Sequence, residues 1–218
     1  MKILVIDVGG THIKVLATGR KTPIKIPSGP KMTASSMVRR VRQAVAGWNY
    51  DAVSVGYPGT VVHGKPVSEP RNLGGGWVGF KYKSAFGRPV AVINDAAMQA
   101  LGSYRGGRML FLGLGTGLGS ALIINGVLEP MELAHLPYKK GRTYEDYVGK
   151  AGLKRLGKKK WRRHVVDVVN RLKAALEADD IVIGGGNAKL LDTLPPGARL
   201  GTNDNAFLGG YRLWKTHA

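Results

Sequence analysis

The stretch KILVIDVGGTHIKVLA, residues 2–17, decides the fold. An apolar run rich in β-branched residues, 2–8, ends in Asp7-Val8-Gly9-Gly10-Thr11 and a second such run, 13–17, follows, which predicts two strands joined by a glycine-rich turn. The plan returns in MLFLGLGTGLGSALII, residues 109–124, where Gly113, Gly115, Gly117 and Gly119 separate two apolar runs. Residues 109–128 carry no charge and superficially suit a membrane span. Those four glycines and Gly126 would cost a helix about 1 kcal/mol each, so two buried strands around a glycine turn are expected instead. The run Ile3-Leu4-Val5-Ile6 is stopped by Asp7 and Gly9, too early for a secretory signal. No true sequence repeat is visible, yet both stretches set a strand, a glycine turn and a second strand, and two related α/β halves are the economical reading.

Working outward, residues 21–27 supply a third strand, ended by Pro27-Ser28-Gly29-Pro30. Thr33 is suited to cap a helix in which Met37, Val38, Val41, Ala44 and Val45 recur at helical spacing. A strand over 52–56, a Gly/Pro-rich loop over 57–79, a short helix near 80–86 and a strand over 89–93 follow. A loop that long in a compact domain points to function. Asn94-Asp95 then open a helix over 96–104. Beyond the 109–124 pair and an Asn125-Gly126 turn, helices are expected near 143–149 and over 162–178. A strand at 181–183, the turn Gly184-Gly185-Gly186-Asn187, a helix, and a last helix over 205–214 complete the chain. The expected division is a small domain of residues 1–94, with 205–218 packing back onto it, and a larger domain of 95–204.

The 218 residues hold 33 Lys+Arg against 14 Asp+Glu, a formal charge of +19. Hydrophobic residues at 44% and charged residues at 22% are the proportions of a folded globular chain. There is no cysteine, which removes disulfides, a thiol nucleophile, thiolate zinc sites and iron–sulfur clusters, and is compatible with a reducing cytoplasm. The charge predicts a polyanionic partner: nucleic acid, an anionic membrane or a phosphate-rich substrate. Residues 139–163 concentrate it, with eleven Lys/Arg against Glu145 and Asp146. Such runs are usually solvated faces, here with Trp161, Val165, Val168 and Val169 behind them. The functional alternative is a track for a linear polyanion, held by many salt-sensitive contacts.

The glycine turns at 7–14, 113–119 and 184–187 put small residues where backbone N–H groups can approach an anion closely, and such turns suit phosphate. Each has a plainer alternative. The turns can be tight hairpins, Asp7 a solvated strand end, Lys14 a strand-edge lysine that discourages aggregation, and Asp95 a helix N-cap. Glu132 and Glu145 alone read as solvated charges, and His135 as a structural or surface histidine. The second turn opens no helix, which disfavours a dinucleotide-binding fold.

Taken in order, these phrases resemble the ROK family (repressor, open reading frame, kinase) in its sugar-kinase branch, most closely its polyphosphate glucokinases. Residues 7–14 are similar to the family's first phosphate motif, 112–119 to its second and 181–187 to its adenosine-side motif. Gly56-Tyr57-Pro58-Gly59 and Asn72-Leu73 with Trp77 resemble its sugar-side loop, and Asn94-Asp95-Ala96 its catalytic motif. Glu132-Leu133-Ala134-His135-Leu136-Pro137-Tyr138, Thr143-Tyr144-Glu145-Asp146-Tyr147-Val148-Gly149 and Lys158-Lys159-Lys160-Trp161 carry the polyphosphate likeness.

The resemblance implies an α/β chain with the two-domain actin-like, ribonuclease-H-like sugar kinase fold and an interdomain cleft. It implies that Asp95 is the general base toward the 6-hydroxyl of glucose, and that Asn72, Asn94, Asp95, Glu132, His135 and Glu145 bind the sugar. Asp7, Gly9, Gly10, Thr11, Lys14, Gly115, Thr116 and Gly117 would take phosphate, and Gly184, Gly185, Gly186 and Asn187 would lie on the nucleotide side. Mg²⁺ is the implied cofactor, with Asp7 as its carboxylate directly or through water. Inorganic polyphosphate, with ATP as a further donor, is the implied phosphoryl source, and Lys158, Lys159, Lys160, Arg162 and Arg163 its track. A cytoplasmic homodimer is expected, without membrane or nucleic-acid partners. Many members carry a cysteine-rich zinc motif after a Glu-x-Gly-His phrase; its absence here predicts no zinc, and Ala134 stands where that phrase has glycine. A strictly ATP-dependent glucokinase or glucomannokinase is the alternative within the class. A non-catalytic polyanion-binding protein on a kinase fold is the alternative outside it.

Overall fold

In the computed structural model, which describes residues 1–202 and 204–215, the opening stretch forms an antiparallel hairpin of β1 (Ile3–Val8) and β2 (His12–Ala17). Strand β3 (Ile24–Pro27) pairs antiparallel with β2. Helix α1 (Ala34–Ala44) follows, and β4 (Ala52–Tyr57) returns parallel to β1 on its other side. A small ribbon, β5 (Val61–Val62) with β6 (Lys65–Pro66), interrupts the long loop. Helix α2 (Tyr82–Phe86) and β7 (Val90–Asn94), parallel to β4, complete a sheet ordered β3-β2-β1-β4-β7. Every residue of β1 and β4 is buried, as strands covered on both faces must be. Thr33 and Ser36 form a capping box at α1, whose Met37, Val38 and Val41 enter the core against Leu4, Ile6, Val53 and Val55.

Helix α3 (Asp95–Ser103) leads on to β8 (Arg108–Leu114), β9 (Leu118–Ile124) and β10 (Val127–Met131), which run antiparallel in succession. Then come a ribbon of β11 (Pro137–Lys139) and β12 (Arg142–Thr143), helix α4 (Tyr144–Val148) and the long α5 (Lys150–Leu176). Strands β13 (Asp180–Gly184) and β14 (Ala198–Leu200) add parallel to β8, giving the order β10-β9-β8-β13-β14. Both sheets therefore follow one plan: an antiparallel trio, then a fourth strand parallel to the first on its free side, then a fifth. That order is the ribonuclease-H-like one, and two such units make the actin-like class.

The two units comprise residues 1–98 with the C-terminal segment from 206, and residues 99–205. Helix α6 (Asn205–Arg212) belongs to the first, where Ala206 and Phe207 pack with Val5, Leu16 and Met98. Buried Ser54 of β4 donates to the Gly210 carbonyl (2.7 Å) and accepts from the Trp214 indole (2.8 Å). Of the expected 205–218 segment, residues 216–218 lie outside the described residues.

Besides the two small ribbons β5–β6 and β11–β12, three further elements were not expected. Strand β10 contains Glu129 and Pro130, tolerable because it lies at a sheet edge. Strand β14 has three residues and follows Pro195-Pro196-Gly197. The glycine- and lysine-rich 150–161 is helical, with Gly157 at φ 72° and ψ 159° breaking the helix so that it restarts at Lys158. The helix expected after Asn187 is only a 3-10 turn, Ala188–Leu190. Among the described residues no helix is long and apolar enough to cross a membrane.

Candidate active site

In the first unit the parallel strands bring separate motifs to one edge. Asp7 of β1 lies beside Gly56 of β4, Gly56 beside Ile93 of β7, and Tyr57 beside Asn94. In α/β sheets this carboxyl edge is where ligands bind. The turn after β1 is held by Gly9 N–H donating to the His12 carbonyl (3.1 Å), while Ser28 donates from its hydroxyl to the Gly9 carbonyl (2.5 Å) and from its N–H to that of Thr11 (2.9 Å). Asn72 is exposed and lies over this turn, since a Cβ on Gly10 would come 3.2 Å from that of Asn72. Burial pushes the Asp7 carboxyl above the ordinary carboxylate range, and the Lys14 ammonium, 3.4 Å away, pulls it back. Lys14 faces Asp7 across the hairpin on β2, an interior strand, so the strand-edge reading of this lysine does not hold.

At Asn94-Asp95 the two side chains divide the work. The Asn94 carboxamide oxygen accepts from Ala96 N–H (3.0 Å) and Ala97 N–H (3.1 Å), and its nitrogen donates to the Gly59 carbonyl (3.0 Å). Asn94 is thus the cap of α3 and ties it to the Pro58-Gly59 loop, while Asp95 begins the helix and accepts from Ala96 N–H (2.8 Å). The sequence reading overlooked Glu69, whose carboxylate accepts from the N–H groups of Trp77 (3.1 Å) and Val78 (3.1 Å) and so folds the Asn72 loop. Its signal was available: Glu69 is the single acidic residue among 57–79. Trp77 is fully buried and donates from its indole to the Gly74 carbonyl (2.6 Å).

In the second unit the turn after β8 and the turn after β13 are locked together. Asn187 donates from its N–H to the Leu114 carbonyl and from its side chain to the Gly115 carbonyl, both at 2.9 Å. Gly185, at φ +83°, lies against the Leu114 backbone where a side chain would not fit. Glu145, on the helix α4 that Thr143 and Asp146 cap as a capping box, accepts from Leu118 N–H (3.2 Å) and presses against Gly117. The anticipated sugar ligand Glu145 therefore sits on the anticipated phosphate turn. Glu132 and His135 are exposed at either end of the 3-10 turn Leu133–His135, which packs on β9 and α4 and is anchored by the Ser120 hydroxyl accepting from Leu133 N–H (3.2 Å). Ala134 is buried there with negative φ, so alanine fits where glycine was the family pattern.

Among the described residues, the N–H groups of Gly10 and Thr11 in one turn, and of Thr116 and Gly117 in the other, donate to no protein acceptor. Two neighbouring open N–H groups at the end of a strand are what an anion needs. No three His, Cys, Asp or Glu side chains gather among the described residues. A cation at Asp7 would have to be held by that carboxylate together with water and a ligand's oxygens, a donor set that fits Mg²⁺.

Of the anticipated track, Lys158, Lys159, Lys160 and Arg163 are exposed, and Trp161, Val165, Val168 and Val169 are buried behind them. Arg162 is engaged elsewhere: its guanidinium donates to the Leu190 carbonyl (2.6 Å) and pairs with Asp192.

Comparison with known proteins bears on the family and the fold. The profile of the ROK family matches residues 3–129. A polyphosphate glucokinase of Mycobacterium tuberculosis is 29% identical over 213 residues, which cover 88% of this chain and 80% of that protein. A glucokinase of Pyrobaculum calidifontis is 32% identical over 133 residues, 58% of this chain and 45% of that one. The crystal structure of an inorganic polyphosphate/ATP-glucomannokinase from Arthrobacter sp. strain KM superposes with a TM-score of 0.84 at 24% identity, covering 99% of each chain.

Proposed function

The chain belongs to the ROK family, and on that premise we propose that it is a glucokinase. It transfers the terminal phosphoryl group of inorganic polyphosphate, with ATP as a further donor, to the 6-hydroxyl of glucose. The observation that carries this reading is the pair of glycine turns, one in each unit, with open N–H groups at Gly10, Thr11, Thr116 and Gly117. Phosphoryl transfer is mostly positioning and charge neutralisation, and backbone amides fixed by their own hydrogen bonds supply both without reorganising.

Asp95 accepts the proton of the sugar 6-hydroxyl as that oxygen attacks the terminal phosphorus. The bond from phosphorus to the next bridging oxygen breaks, giving glucose 6-phosphate and a polyphosphate one unit shorter, or ADP from ATP. Asn72, Asn94, Glu132, His135 and Glu145 provide amides, carboxylates and an imidazole that suit a ligand offering only hydroxyls. The Asn94 amide is already committed to its cap and to Gly59, so its main part is to hold Asp95 in place. Lys14 and the turn amides take the donor's phosphates, and Asp7 would hold Mg²⁺, which would neutralise charge on the transferring group. A strictly ATP-dependent enzyme is the second reading, favoured by the Gly184–Asn187 turn fastened to the Gly115 turn.

Loss of a general base typically costs about 10²–10⁴ in rate, so Asp95→Asn should lower kcat on that scale. Because Asn94 is the cap, its melting temperature should stay at the wild-type value. A variant with near-normal kcat would remove Asp95 from the mechanism.

A further inference from the structure

Residues 136–143 form a short strap between two proposed glucose ligands, His135 and Glu145. Its ribbon β11–β12 has three residues on one side and two on the other, with an irregular register and a turn at Lys140 (φ 51°) and Gly141 (φ 67°). A ribbon that small does not hold its own shape in water. Its ends are tied by Tyr144 N–H donating to the Leu136 carbonyl (3.1 Å) and by Thr143 N–H donating to Asp146 (2.9 Å), and between them Tyr138 fastens it to both α4 and α5. The Tyr138 ring packs at 5.2 Å from Tyr144 and edge-on at 4.9 Å from Tyr147, both on α4. Its hydroxyl donates to Asp167 of α5 at 2.5 Å and lies 3.0 Å from His164 Nδ1.

Asp167 is the hub of a wider network. Lys139 reaches its Oδ2 at 3.0 Å, and Arg171 its Oδ1 at 3.2 Å. The hydrogen bond from Tyr138, ahead of those from Lys139 and Arg171, holds the Asp167 carboxyl down at about 2, so it is a full charge at neutral pH. Burial and the nearby Lys139 hold the His164 imidazole below its ordinary range, so the ring is neutral. A phenol has one proton, and with Asp167 accepting it, His164 must donate from Nδ1. Hydrogen bonds to an ionised group are the strong kind, and this one joins the strap to the longest helix of the unit.

We propose that Tyr138 and Asp167 position His135 and Glu145, fixing the spacing of these two ligands to glucose. The proposal rests on the glucokinase reading and deepens it. Tyr138 touches no reacting group in this scheme; it is a positioning residue. Its effect therefore falls on the sugar more than on the phosphoryl donor, because the turn that Glu145 touches at Gly117 is also held by Asn187 and by Lys150 N–H donating to the Thr116 carbonyl (3.1 Å), neither of them in the strap.

The test is Tyr138→Phe, which removes one oxygen and keeps the ring packing. Glucose binding is measured by calorimetry on wild type and variant at matched folded fraction, alongside KM for glucose and for polyphosphate. Loss of a hydrogen bond to a charged group should weaken glucose binding and raise its KM by about tenfold, with KM for polyphosphate within about twofold. Asp167→Asn, which keeps an acceptor for the phenol, should fall between wild type and Tyr138→Phe. Unchanged glucose affinity in a folded Tyr138→Phe protein, or equal rises in both KM values, would overturn the positioning role. Failure of the wild-type protein to bind glucose would overturn the glucokinase reading itself.

Discussion

Asn94 shows how much one side chain can settle. Its carboxamide satisfies two of the otherwise unpaired N–H groups at the start of α3 and also reaches the Gly59 carbonyl. Asn94→Ala should lower stability by about 1 kcal/mol, the ordinary worth of an N-cap, and Asn94→Asp should restore most of it. Thermal melts check this, and an unchanged midpoint for Asn94→Ala would mean that the helix start is held some other way. The residue types at this site were legible in the sequence because they come as short phrases: Asp7 with Gly9-Gly10-Thr11, and Asn94 with Asp95. Their division of labour was not. Both Asn and Asp are good caps, and only the hydrogen bonds of the folded chain show that the asparagine takes that task. Glu145 was named in the sequence, but its seat on the glycine turn was not legible, for another reason. Its contact with Leu118 N–H joins positions 27 residues apart and depends on where α4 lands.

At the scale of elements, α5 carries the clearest consequence. After the break at Gly157 the helix restarts with Lys158-Lys159-Lys160, so three cations face the positive end of a helix dipole. That arrangement opposes folding locally and would be relieved by a bound polyanion, which is the physical reason for proposing a polyphosphate track here. Replacing the three lysines with glutamate should raise KM for long polyphosphate by at least about tenfold, and the effect should shrink as salt rises. KM for ATP should change by less than about twofold. Equal effects on both donors would contradict the track. Arg162 has no part in this prediction, because it is paired with Asp192. The first half of α5 escaped the sequence reading because its lysines and glycines blur the apolar spacing that betrays a helix. Strands β10 and β14 escaped because edge strands need little hydrophobic alternation, and β14 has only three residues.

For the whole molecule, the repeated sheet plan is the main structural fact. Two hairpins with glycine turns were enough to suggest related halves, since each is local in sequence. The strand orders β3-β2-β1-β4-β7 and β10-β9-β8-β13-β14 were not legible from the residues alone, because the fourth and fifth strands of each sheet join by long-range parallel pairing. The same doubling gives each unit its own glycine turn with open N–H groups, and that is why we propose phosphoryl transfer. On the proposed function, the charge of +19 serves as attraction for a phosphate polymer. One measurement tests the central claim most directly: glucose 6-phosphate formed from glucose and Mg²⁺ by the purified protein, with inorganic polyphosphate or ATP as donor. The account predicts product with polyphosphate, at higher kcat/KM than with ATP. No product from either donor, together with salt-sensitive retention of RNA or DNA, would contradict it.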